Sequence, residues 1–82
     1  MTLTEFQSLE WDEWMAILEE HGVKIGKRED NYARMELYQV YAFYVEVAYT
    51  KHDGNLWKMG PFDHPKLLGP YLDQINLKDL LP

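Results

Sequence analysis

Eighty-two residues with 46% apolar content allow one domain around a single modest core, and the absence of cysteine excludes disulfides and thiolate metal sites. The formal net charge of −6 would repel a phosphate backbone, so nucleic acid is not expected as a partner. No apolar run approaches the roughly 20 residues of a membrane span, and no basic-then-apolar leader opens the chain. A cytoplasmic location without membrane contact is the expectation.

Residues 4–21 read as one amphipathic helix. Trp11, Trp14 and Leu18 fall together at helical spacing, flanked by Met15, Ile17 and Phe6. Thr2 with Glu5, or Thr4 with Gln7, offers a capping-box start, and Gly22 is a natural stop. Glu5, Asp12, Glu13, Glu19 and Glu20 fill the opposite face, with Leu9 and Ala16 among them. No Lys or Arg accompanies these acids before residue 22.

Val23 to Arg28 alternates as a short first strand, with Lys24 and Arg28 together on its outward side to discourage edge pairing. Glu29-Asp30-Asn31 is turn chemistry. Arg34 to Lys51 is rich in Tyr, Val and Phe without Gly or Pro, and forms the centre of a sheet. It is too long for one strand. Parity predicts a hairpin with the loop Val40-Tyr41-Ala42 and Gln39 opposite Phe43. That register puts Met35, Leu37, Phe43, Val45, Val47 and Tyr49 on one core face.

His52-Asp53-Gly54 predicts the next hairpin, with Tyr49 opposite Trp57 and Val47 opposite Met59. The fourth strand runs from Asn55 to about Gly60, where Pro61 stops it. Asp63-His64-Pro65 opens a C-terminal helix carrying Leu67, Leu68, Tyr71, Leu72 and Ile75, bent at Gly69-Pro70. Asn76 caps a last turn from Leu77 to Leu81. The predicted class is α+β: an N-terminal helix, a four-stranded antiparallel β-meander and a C-terminal helix, with both helices on one face of the sheet.

Phe43-Tyr44-Val45-Glu46-Val47, followed by Leu68-Gly69-Pro70-Tyr71-Leu72-Asp73-Gln74-Ile75-Asn76-Leu77, resembles a family of small uncharacterised bacterial proteins. The likeness covers residues 32–77. It implies the same order of elements and a cytoplasmic bacterial setting, and no activity.

No catalytic or metal-binding signature rises above background. Ser8 has no His near it in sequence, and Thr50 with His52 is the nearest approach to a hydroxyl–base pair. His52-Asp53 and Asp63-His64 suit a metal in type, yet in the predicted fold they sit roughly 20 Å or more apart along one strand. Glu36 and Glu46 are expected on one face beside Arg34, as cross-strand charge pairs. His21 suits the C-terminal end of its helix. A non-enzymatic chain without cofactor, metal or small-molecule ligand is the expectation, and a metal-dependent or acid–base enzyme is the reading set aside.

What remains is the even-numbered sheet face, bearing Arg34, Tyr38, Tyr44 and Glu46 opposite both helices. Such residues are typical of interfaces. They predict binding to a protein partner or to a second copy as a homodimer, abolished by Tyr44→Asp. The alternative is an acidic, inhibitor- or antitoxin-like protein that docks a basic partner through Asp12, Glu13 and Glu19.

Overall fold

Hydroxyls and carboxylates at the amino terminus decide where the helices begin and break. The structure, a computed structural model, describes residues 1–72. The Thr2 hydroxyl accepts from the Glu5 N–H at 3.1 Å, and the Glu5 carboxylate accepts from the Thr2 N–H at 2.9 Å. This reciprocal box starts α1 (Leu3–Gln7). The Ser8 hydroxyl donates to the Glu5 carbonyl at 2.7 Å and closes the helix after five residues, about one and a half turns. A second helix, α2 (Trp11–His21), begins where the Glu10 N–H donates to the Glu13 carboxylate at 3.3 Å. The single helix expected over 4–21 is therefore two.

The break brings the fully buried Phe6 ring onto Trp14, with centroids 4.9 Å apart. It also turns Leu9 inward, while Trp11 remains exposed. Gly22 ends α2 in extended backbone, φ −79° and ψ 140°. Its glycine is required by close approach, because a Cβ there would lie 2.6 Å from the Leu18 carbonyl oxygen.

Four strands follow, β1 (Val23–Glu29), β2 (Ala33–Val40), β3 (Phe43–Thr50) and β4 (Leu56–Phe62). They pair antiparallel in the order β1-β2-β3-β4, and a 3₁₀ helix (Pro65–Tyr71) completes the α+β architecture. An extra residue at Ile25 shifts the β1–β2 register between Lys24 and Gly26. Lys24 then lies opposite Tyr38 and Arg28 opposite Met35, so the two cations do not share the side expected of them.

The β2–β3 hairpin corrects the predicted loop. Val40 pairs with Phe43 across a two-residue turn, Tyr41-Ala42. A one-residue change of register moves every side chain of one strand to the other face. Even positions of β2 therefore share a face with odd positions of β3. Phe6, Trp14 and Leu18 pack on Val40, Phe43, Val45, Val47 and Met59 there. Leu37 and Tyr44 point to the opposite face, where they meet Leu68 and Tyr71 of the 3₁₀ helix. The helical segments thus cover opposite faces, which corrects the expectation that both lie on one. A sheet apolar on both sides needs a cover on each.

Tyr41 holds φ at 53°, in the left-handed region that favours Gly, Asn or Asp. Its ring rests 5.2 Å from His21 and 6.3 Å from Phe43. Tyr41→Gly and Tyr41→Ala remove the same ring and differ in the strained Cβ. The glycine variant is expected to be more stable by about 1 kcal/mol in urea denaturation. The reverse order would mean the turn carries no backbone strain.

In the β3–β4 connection Gly54 takes φ 74°, as the turn chemistry requires. Asp53 accepts from the Thr50 hydroxyl and from the Asn55 N–H at 3.0 Å. Val47 pairs with Met59 as expected, but Tyr49 pairs with Leu56, and the irregularity leaves Trp57 exposed. β4 continues through Pro61 to Phe62, which an edge strand tolerates because the missing N–H costs no ladder bond.

The segment after β4 is a 3₁₀ helix rather than an α-helix, with the His64 Nδ1 accepting from the Lys66 N–H at 3.2 Å. Three residues per turn suit the buried pair Leu68 and Tyr71 and leave Leu67 and Leu72 exposed. The expected packing of Ile75, the Asn76 cap and the turn from Leu77 to Leu81 lie outside the described residues.

Candidate functional site

The four residues expected on one even face are divided between two. Arg34 and Tyr38 belong to the face that carries α1 and α2, whereas Tyr44 and Glu46 face the 3₁₀ helix. Tyr44 is buried, its ring 5.5 Å from Phe62. Tyr44→Asp would therefore test stability rather than association. Glu46 accepts from the Tyr71 hydroxyl at 2.5 Å and from Arg28 at 3.3 and 3.4 Å. Arg28 also lies over the Tyr71 ring, 5.6 Å from its centroid. This trio ties the 3₁₀ helix to β1 and β3.

Glu36, expected beside Glu46, lies on the other face. It pairs with Lys24 and accepts from the Tyr38 hydroxyl at 3.3 Å. The Lys24 hydrogen bond holds its carboxyl below the usual range. Burial, and then the Glu36 charge, push Tyr38 up to about 12 and raise Tyr49 in the same direction.

These groups border the part of the sheet that the helices leave uncovered. Met15, Leu18, Tyr38, Val47 and Tyr49 floor a groove of about 300 Å³ between α2 and the sheet, with Glu19 and Lys24 also lining it. Half-buried rings beside opposite charges can anchor an apolar side chain and orient a polar neighbour. Sequence reasoning missed Tyr49 and Lys24, because both depend on the hairpin register and the β1 bulge.

The acids Asp12, Glu13 and Glu19 are exposed on α2, as the helical pattern implied. Residues 1–22 hold six acids and no Lys or Arg, while the remaining sixty residues hold eight of each sign. All of the formal net charge thus belongs to the helical layer. His21 is exposed at the end of α2, 3.8 Å from Glu20.

His52-Asp53 and Asp63-His64 flank opposite ends of β4, and no group of three or more His, Asp or Glu able to hold a metal ion occurs among the described residues. The Thr50 hydroxyl donates to Asp53 rather than facing His52. No helix among the described residues is long and apolar enough to cross a membrane.

Titration of the tyrosines has a definite sign. Raised folded-state values mean that the fold prefers the neutral phenols of Tyr38, Tyr49 and Tyr71. Their contribution is complete below the unfolded tyrosine value of about 10 and is lost as pH rises through the folded values. The melting temperature is expected to fall above about pH 10, less steeply in Tyr38→Phe. A flat profile through that window would contradict it. Glu36 gives the acid limb: its contribution is present above about pH 4.3 and lost as pH falls through its lowered value.

No family model, curated protein or solved structure matches the chain, so the resemblance read from residues 43–47 and 68–77 gains no support from these comparisons.

Proposed function

We propose that this chain is a small non-enzymatic interaction module that binds a protein partner through the uncovered part of the sheet beside α2. The observation that carries the reading is the groove in which Tyr38 and Tyr49 join Met15, Leu18 and Val47. Arg34, exposed on the same face of β2, supplies a polar rim. Large rings bury much area at low entropic cost, and charges around them set orientation. Isologous pairing of two copies through this face is the homodimeric form of the same reading. The cytoplasmic and bacterial setting expected from the sequence belongs to this proposal.

Two variants test it. Arg34→Glu changes an exposed side chain and leaves the fold alone, while Tyr38→Asp removes a ring from the groove. Both are compared with wild type in affinity capture and in light scattering across a dilution series. Loss of one specific partner, or of a dimer, in both variants with unchanged circular dichroism supports the groove. Retention of that partner in both variants removes it.

The concentration of net charge in the helical layer supports a second reading, in which Asp12, Glu13 and Glu19 dock a basic protein. Association would then weaken steeply with salt and be lost on reversing those three charges. Salt-independent association would count against it.

A further inference from the structure

A second surface lies on the other side of the sheet, at its β4 edge. Among the described residues β4 pairs only with β3, so its outer edge has no strand partner there. Gly60 and Phe62 of β4 face Leu67 and Pro70 of the 3₁₀ helix across an open cleft of about 440 Å³. Lys58, Lys66 and Arg28 supply three cations to its lining, against the single carboxylate of Glu46. That carboxylate already accepts from Arg28 and Tyr71. The cleft is therefore positive in a chain whose net charge is −6.

Gly60 is the informative residue. Its φ is not left-handed, and a Cβ built there would meet no atom of the described residues within 4 Å. Neither a turn nor packing among the described residues calls for glycine, although glycine within a strand sacrifices about 0.5–1 kcal/mol. Glycine at such a place often marks the close approach of a ligand or another backbone. A side chain at this position would stand in the cleft. Leu67, exposed in the lining, adds apolar surface to the cleft.

We infer that this cleft takes an extended acidic segment of a partner protein, lying along β4. An apolar side chain of that segment would rest between Phe62 and Leu67, with carboxylates placed on Lys58 and Lys66. Open length along a sheet edge suits an extended chain, and alternate side chains of such a chain would point into the cleft. The charge selects acidic over basic sequences.

A short dye-labelled peptide alternating leucine and glutamate is titrated by fluorescence anisotropy, beside a counterpart with lysine for glutamate. Wild type is expected to bind the acidic peptide alone, with affinity falling as salt is added. Gly60→Leu and Lys66→Glu are each expected to weaken it by about tenfold or more, or about 1.4 kcal/mol, with no fall in melting temperature. Arg34→Glu should leave this affinity unaltered, which separates the cleft from the groove on the other face. Equal binding of both peptides, no binding of the acidic one, or full affinity in Gly60→Leu overturns the inference. So does concentration-dependent self-association that Lys66→Glu disperses, because the occupant would then be a second copy.

Discussion

Phe6→Ala is expected to leave much of the protein unfolded at room temperature. The ring is fully buried, stacked on Trp14 at an interplanar angle of 16° and tilted against Phe43 with centroids 5.2 Å apart. The Trp14 Nε1–H donates to the Phe6 carbonyl at 2.6 Å, so ring and backbone together hold α1 against α2. Truncating a buried Phe to Ala costs about 3–5 kcal/mol. A domain of this size holds about 3–5 kcal/mol in total. The two magnitudes are comparable, and the folded population should fall to about half or below. Trp14→Phe is the milder companion. It keeps a ring on Phe6 and removes one N–H donor, at a cost of about 0.5–1.5 kcal/mol, because the Leu9 N–H still donates to the Phe6 carbonyl at 3.0 Å. Urea denaturation followed by circular dichroism measures both. A loss below about 1 kcal/mol for Phe6→Ala would show that α1 contributes little to the core.

Tyr71 is the corresponding anchor on the opposite face. Its ring is fully buried against Leu37, Tyr44 and Leu68, and its hydroxyl reaches the Glu46 carboxylate. Tyr71→Ala loses both and is expected to cost about 3–5 kcal/mol. Tyr71→Phe keeps the ring and loses a hydrogen bond to a charged acceptor, about 1.5–3 kcal/mol. Glu46→Gln should cost less in the Tyr71→Phe background than in wild type, since the two groups share one interaction. The double-mutant cycle reads that coupling directly. Strict additivity would mean that the hydroxyl and the carboxylate act separately, and that Arg28 alone satisfies Glu46.

Local chemistry was legible wherever a few neighbouring residues decide the outcome. The Thr2–Glu5 box, the Gly54 turn and the four strands all follow from short-range rules, whereas Pro61, expected to stop β4, lies within it. The exposed acids Asp12, Glu13 and Glu19 followed from helical spacing. The hairpin between β2 and β3 did not. A three-residue loop would have put Met35, Leu37, Phe43 and Val45 on one face, which is reasonable if only one side of the sheet is covered. The chain instead adopts a two-residue turn with Tyr41 left-handed. That strain, about 1 kcal/mol, is small beside the burial of Leu37 and Tyr44 under the 3₁₀ helix.

The candidate site inherits this difference. Arg34, Tyr38, Tyr44 and Glu46 read as one patch only while all even positions are assumed to share a face. Side-chain parity alternates strictly along each strand, but the relation between two strands depends on the turn that joins them. Lys24 and Arg28 were separated for a similar reason, by one inserted residue at Ile25. Sequence alone thus determined the element order, the α+β class, the Gly54 turn and the acidic character of the helical layer, all set by propensity, capping and charge within a few residues. Tertiary structure decided which face each side chain joins, where the helices break and which residues line the groove and the cleft. Those depend on registers offset by single residues, and the choice between such registers rests on burial contributed by segments distant in sequence.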